Sequence, residues 1–297
     1  MDIKKITLLL LASVFFICGA VKKDAPKRDV EEIKAVLAKA PARPKAEQLK
    51  PLNIVLVAGP KDHGENEHDY PLWQKRWKKL LTRPEAVIAI FPPPPPGTEK
   101  VKVDTAWEWP SKEQFKRADL IVMHTWGRWT EEKIADLKQY LLRGGGFVSV
   151  HPTLITDKKF SGQLSELLGL AWEHGYSWYR YGDMDLKITA AEHPICLGLP
   201  GTIRFLDEAY WPLKGDLSKV TVLATSDEKV KDSEKTRAEP MFWTYEYGKG
   251  RVFACILGHY TWTCDDAYFR LLVLRGMAWA AGESPYRFDP LVIRKIK

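Results

Sequence analysis

An α/β fold, with a doubly wound, mainly parallel sheet and helices on both faces, is predicted by three features of this 297-residue chain. Apolar runs without polar alternation recur along it, as in strands buried on both faces. Segments with helically spaced apolar residues separate the first of them. Four runs are followed within a few residues by histidine: Asn53 to Gly59 by His63 and His68, Asp119 to Met123 by His124, Phe147 to Val150 by His151, and Arg251 to Gly258 by His259. In open α/β sheets ligands bind beyond the carboxyl ends of the strands, so these imidazoles are expected to share one crevice.

The chain opens with a basic start, an apolar run from Ile6 to Ile17 and the small residues Gly19 and Ala20. Residues 1–20 therefore read as a secretory signal, the apolar run being too short for a membrane span. An exported protein, periplasmic or extracellular, is expected. Cleavage after Ala20 discards Cys18; a lipid-modified cysteine is the alternative, but Phe15-Phe16-Ile17 is bulkier than its usual lead-in. Residues 21–51, rich in Lys, Ala, Glu and Pro, read as a charged linker. Val30 to Ala40 can make a short helix with Ile33, Val36 and Leu37 on one side, though with too little apolar area to fold alone. The α/β domain is expected over 52–285, with a tail over 286–297.

Asn53 to Ala58 is a strand, and a helix over 70–81 puts Trp73, Trp77, Leu80 and Leu81 on one side. A second strand is expected at Ala86 to Phe91, ended by Pro92 to Pro96, which cannot continue a ladder. Asp119 to His124 is the third. Thr130 caps a helix running to Arg143 and stopped by Gly144-Gly145-Gly146, and Phe147 to His151 is the fourth strand. The order β-α-β-loop-β-α-β argues for parallel strands with right-handed crossovers. Further strands are expected at Asp185 to Thr189, Val220 to Thr225, Met241 to Tyr247 and Arg251 to Leu257, the last two joined by Gly248-Lys249-Gly250. The charged stretch from Ser226 to Glu239 reads as a surface loop, and Asp266 to Ala281 as the final helix.

The net charge of +7 is no nucleic-acid footprint, because no zinc finger, aromatic RNA-binding signature or long basic block accompanies it. Cys196, Cys255 and Cys264 permit at most one disulfide, so the chain is not a disulfide scaffold.

Chemistry-bearing residues gather after the strands. Lys61 to Asp69 holds two imidazoles and four carboxylates; the plainer reading is a polar loop capping the next helix through Asp69. Asp207-Glu208 lies between apolar neighbours, where adjacent carboxylates need a cation, a metal or a donor unless they sit on a surface turn. His63, His151 and His259, with Glu208, supply the ligand types that Zn²⁺ or another divalent metal takes, although no HExxH spacing is present. Trp126, Trp211 and Trp262, beside the expected crevice, suit stacking on sugar rings. No GxSxG or GxCxG elbow is present, and His151-Pro152-Thr153 stands where a nucleophile would.

Gly59-x-x-Asp62-His63-Gly64 with Glu67-His68-Asp69, the block from Gly144 to His151, Asp207 to Trp211, and Tyr247 to Phe253 through Gly258-His259 together resemble the ThuA-like, trehalose-utilisation family over about residues 52–282. The resemblance implies a flavodoxin-like domain of the class I glutamine amidotransferase-like superfamily that lacks the cysteine nucleophile, and so not an amidotransferase. It implies a small-molecule carbohydrate as partner, of the trehalose type or a keto-sugar derivative, and His63, His151, Asp207, Glu208 and His259 as pocket residues. His151 or His259 would then act as general base, Glu208 as acid or metal ligand with Asp207 beside it in the catalytic set, and His63 would bind metal or a sugar oxygen; His68 and His124, read from their places after strands and not from the resemblance, are second-choice substrate-binding groups. A sugar-binding protein without turnover, using the same crevice, is the alternative.

Overall fold

The computed structural model describes residues 25–82 and 94–295. Twelve strands lie among them: β1 Leu52–Ala58, β2 Val101–Trp107, β3 Leu120–His124, β4 Gly146–Val150, β5 Ile155–Thr156, β6 Leu170–Glu173, β7 Trp178–Ile188, β8 Thr202–Trp211, β9 Lys214–Gly215, β10 Thr221–Lys229, β11 Thr236–Tyr247 and β12 Gly250–Cys255. The helices are α1 Val30–Ala38, α2 Tyr70–Leu81, α3 Lys112–Arg117, α4 Glu131–Leu142, α5 Lys158–Leu168, α6 Thr261–Asp265 and α7 Ala267–Ala280.

Nine strands form one sheet in the order β2-β1-β3-β4-β12-β11-β10-β7-β8. The first five are parallel, and numbered among themselves they run 2-1-3-4-5, the flavodoxin-like order, with its switch point between β1 and β3. All of β3 and β4 is buried. Because successive residues point to opposite faces, this half of the sheet is covered on both.

Beyond β12 the sheet departs from the expected mainly parallel form, since β12, β11, β10, β7 and β8 pair antiparallel. The cause is the length and connection of the strands. β11 and β12 meet through the two-residue turn Gly248-Lys249, and β7 and β8 pair over ten successive residues, which leaves no crossover helix between partners. A small three-stranded sheet, β5-β6-β9, completes the strands described.

Several segments differ from their sequence reading. The strand expected at 86–91 lies outside the described residues, as do residues 1–24, including the segment read as an export signal. The edge position beside β1 belongs to β2, whose sequence, Val-Lys-Val-Asp-Thr-Ala-Trp, is only partly buried and gives a weak strand signal. Residues 226–239 are a surface loop only over 230–235: β10 and β11 run into the flanks, and Glu228 and Glu239 are buried against Arg180 and Arg237. Asp207-Glu208 lies within β8 and not on a turn. Within the segment read as a linker, α1 is capped by Asp29 and docks Ile33 and Val36 into the core, while Arg28 Nε meets Asp266 Oδ2 at 2.7 Å. Residues 285–291 form a 3-10 turn with Arg287 and Phe288 fully buried.

Candidate active site

Four buried side chains meet beyond the carboxyl ends of the parallel strands. His68 comes from the loop after β1, His151 directly follows β4, His259 follows β12, and Glu208 lies on β8. His68 Nε2 is 2.9 Å from His151 Nε2 and 2.9 Å from His259 Nδ1, and the last two are 3.3 Å apart. Glu208 Oε2 lies 3.1 Å from His151 Nε2 and 3.0 Å from His259 Nδ1. These four ligand atoms all fall within 4.8 Å of one another.

The opposite ring nitrogens fix which atoms face inward as lone pairs. His151 Nδ1 donates to the Ile256 carbonyl at 2.6 Å. His68 Nδ1 donates to Asp62 Oδ1 at 2.9 Å. Both acceptors lack a proton, so whenever either ring is neutral its Nε2 carries a lone pair toward the centre. Burial lowers the pKa of His68 to about 3, against the hydrogen bond it donates to Asp62 and with the help of its imidazole neighbours. Burial raises Glu208, but its close approach to His151 and His259 outweighs that and holds the carboxyl below its ordinary range.

Backbone geometry aims these groups. His151 has φ 52° and His68 φ 43°, both in the left-handed region that side chains seldom occupy. Such strain persists only where surrounding contacts over-determine it. The two histidine loops are tied together by His68 N donating to the His259 carbonyl at 2.9 Å and Thr261 N to the Asn66 carbonyl at 2.8 Å. Gly258, at φ 129°, lets the chain pass Val150 and His151, whose side chains would lie 3.0 and 3.3 Å from an added Cβ.

Asp207 does not point into the centre. Its two oxygens accept from the backbone N–H of Gly258 at 3.2 Å and of His259 at 3.1 Å, and burial raises its pKa. It positions the His259 loop. His63 also stands outside the quartet, with Nδ1 on Asp62 Oδ1 at 2.8 Å and its ring 3.8 Å from that of His68. The metal set read from the sequence thus differs by one residue, His68 taking the place of His63. His63 belongs with Asp62 and His68 to a second, more exposed group of ligand types.

His124 is buried at the end of β3, against Tyr70 and Trp73, with neither ring nitrogen hydrogen-bonded. Burial and the neighbouring His151 and His68 push its pKa well down, so it stays neutral. Among the tryptophans, Trp211 donates to the Lys229 carbonyl and Trp262 to the Leu206 carbonyl. Trp126 is partly buried with its indole N–H unpaired. None of the three forms a ring pair with the quartet histidines.

Four tyrosines touch the quartet: Tyr70 pairs its ring with His68 and Tyr260 with His259, and Tyr210 and Tyr181 stand beside them. Tyr210 Oη lies 3.0 Å from Glu208 Oε2 and 3.1 Å from His151 Nε2, with its ring stacked on His151. The Tyr181 ring is 4.9 Å from that of His259. The available signal was period two on β8: once Glu208 faces the site, Tyr210 must as well. The quartet side chains are no more than 5% exposed. Partly exposed Asp62, His63, Glu67 and Tyr181 stand between it and solvent.

The described cysteines are all free and buried. Burial pushes Cys196 up to about 12 and raises Cys255 and Cys264 as well, so none offers a ready thiolate.

A mixed α/β domain with a buried three-histidine, one-carboxylate centre beyond the carboxyl ends of its parallel strands defines the class. The family described as ThuA, trehalose utilisation, matches by sequence over residues 74–280, and the chain belongs to it. Among solved structures, a ThuA-like protein from Parabacteroides merdae superposes with TM-score 0.59 at 21% identity, covering 83% of this chain and 93% of that one. A second, from Bacteroides uniformis, gives TM-score 0.57 at 17% identity, covering 83% and 98%. At these identities the likeness establishes the fold alone. A comparison with curated proteins found no match.

Proposed function

We propose that this protein is a divalent-metal-dependent enzyme of carbohydrate metabolism, acting on a trehalose-type disaccharide or a keto-sugar derivative. The observation that carries the reading is the convergence of three imidazole nitrogens and one carboxylate oxygen, with the outer nitrogens of His68 and His151 already committed as donors. The inward lone pairs of neutral His68 and His151 and the Glu208 carboxylate repel around one point unless a cation joins them, with His259 Nδ1 placed as the fourth ligand. A tetrahedral ion with bonds near 2 Å sets its ligand atoms about 3.3 Å apart, close to the spacing seen here. His68, His151, Glu208 and His259 would hold Zn²⁺ or another imidazole-favouring divalent ion.

When bound, such an ion polarises a sugar oxygen or lowers the pKa of a water. Tyr210 keeps its proton, since burial and the Glu208 charge raise its pKa, and donates it toward Glu208. Asp62 locks the tautomer of His68, as the Ile256 carbonyl locks that of His151. Glu67 Oε1, 3.8 Å from His259 Nε2, is a partly exposed carboxylate able to accept a proton from substrate. The family membership supports the sugar class, and the basic, apolar and small residues of 1–20 support export, which N-terminal sequencing of the mature protein tests.

Metal analysis of the purified protein is expected to find about one divalent ion per chain, lost in a His151→Ala, His259→Ala double variant. Disaccharides and their 3-keto forms left unchanged with and without Zn²⁺ would overturn the enzymatic reading. The near-closure of the quartet favours, as second reading, sugar binding without turnover. Sugar binding that survives the double variant would support it.

A further inference from the structure

The side chains that this chemistry leaves unused include a row of exposed rings on β7. Residues directly opposite on antiparallel strands share a face. Tyr181 stands opposite Glu208 and Tyr179 opposite Tyr210, and Glu208 and Tyr210 are the β8 side chains that meet His151. Tyr181 and Tyr179 therefore occupy the quartet's face of the sheet, whereas Trp178 and Arg180 point to the other. The rings step outward from the centre: Tyr181 is 4.9 Å from His259, and Tyr179 is 5.7 Å from Tyr181. Neither is packed away, for they are 49% and 56% exposed.

We propose that Tyr181 and Tyr179 form a second sugar subsite, seating the distal pyranose of a disaccharide whose first ring faces the quartet. This rests on the carbohydrate reading above. Same-face positions on a strand lie about 7 Å apart, on the scale of one sugar ring to the next. An aromatic face matches the apolar C–H face of a pyranose, while the phenol groups supply polar partners at its edge. The continuity of the rings with the quartet argues for a substrate extension and against an independent protein contact. The other aromatic pair near His259 is already engaged: Tyr260 stacks on Trp262 at 4.2 Å, and the Trp262 indole N–H donates to the Leu206 carbonyl.

The test is calorimetry on the purified full chain with trehalose and methyl α-glucoside as probes. Wild type is expected to prefer the disaccharide, and Tyr179→Ala to lower the disaccharide-to-monosaccharide affinity ratio about tenfold. Tyr179→Trp is expected to retain the ratio. The ring is more than half exposed, so both variants should fold, which a thermal melt checks. A ratio unmoved by Tyr179→Ala in a wild type that binds both sugars overturns the subsite alone. Binding of neither sugar by wild type overturns the carbohydrate reading, and the subsite with it.

Discussion

Tyr210 holds the quartet's geometry from outside, with one hydroxyl proton shared between Glu208 and His151 and one ring face against the imidazole. Groups of this kind orient metal ligands without touching the ion, and their loss costs roughly 10- to 100-fold in affinity. Tyr210→Phe is expected to weaken Zn²⁺ binding by that factor in a chelator competition. His68 gives a pH dependence. In metal-stripped protein its pKa is lowered from the ordinary 6.5 to about 3, so below pH 6.5 the unfolded chain takes up a proton that the folded one refuses. This contribution is fully present above pH 6.5 and is lost as pH falls toward 3. His68→Gln should flatten the fall of Tm in that window. At this scale His151 and His259 were legible from their places after strands. The exchange of His63 for His68 was not, because it depends on left-handed backbone at Asn66 and His68, which neither residue type announces.

Among the elements, α1 shows how a segment too poor in apolar residues to fold alone becomes structural when a surface is offered to it. Ile33 is 1% exposed, and truncating a buried Ile to Ala costs about 2–5 kcal/mol. Ile33→Ala should lower the urea midpoint by a corresponding amount, whereas a mere tether would leave it unmoved. The loop after β12 makes a sharper case. At Gly258 an added Cβ combines an unfavourable φ with crowding against His151, so Gly258→Ala should abolish metal binding before it unfolds the protein, as metal content and far-UV CD together would show. Four of the five parallel strands, β1, β3, β4 and β12, were readable because their apolar runs are uninterrupted, whereas the half-buried β2 was not. The strands running into 226–239 were hidden because their charges are buried as ion pairs, which composition reads as solvated loop.

Over the whole molecule, the C-terminal segment is fastened to the domain through Arg275. Its fully buried guanidinium meets both oxygens of Asp289, at 2.9 and 2.8 Å, and the Ile195 and Leu197 carbonyls. Removing one partner of a buried pair costs about 3–5 kcal/mol, so Arg275→Ala should lower Tm by many degrees. Zn²⁺ at a hundredfold excess over its Kd should stabilise the wild type by about 2.7 kcal/mol, and Glu208→Ala by much less. Among the described residues no helix is long and apolar enough to cross a membrane.

The sequence by itself determined the α/β class, the parallel half with its histidines at the strand ends, and the family, because these rest on local periodicity and on ordered blocks of residues. Tertiary structure alone decided that half the sheet runs antiparallel, that Asp207 grips backbone while Glu208 faces the imidazoles, and that His68 completes the quartet. Each of those outcomes depends on strand register and on backbone angles at single residues, which are fixed by packing between segments distant in the chain.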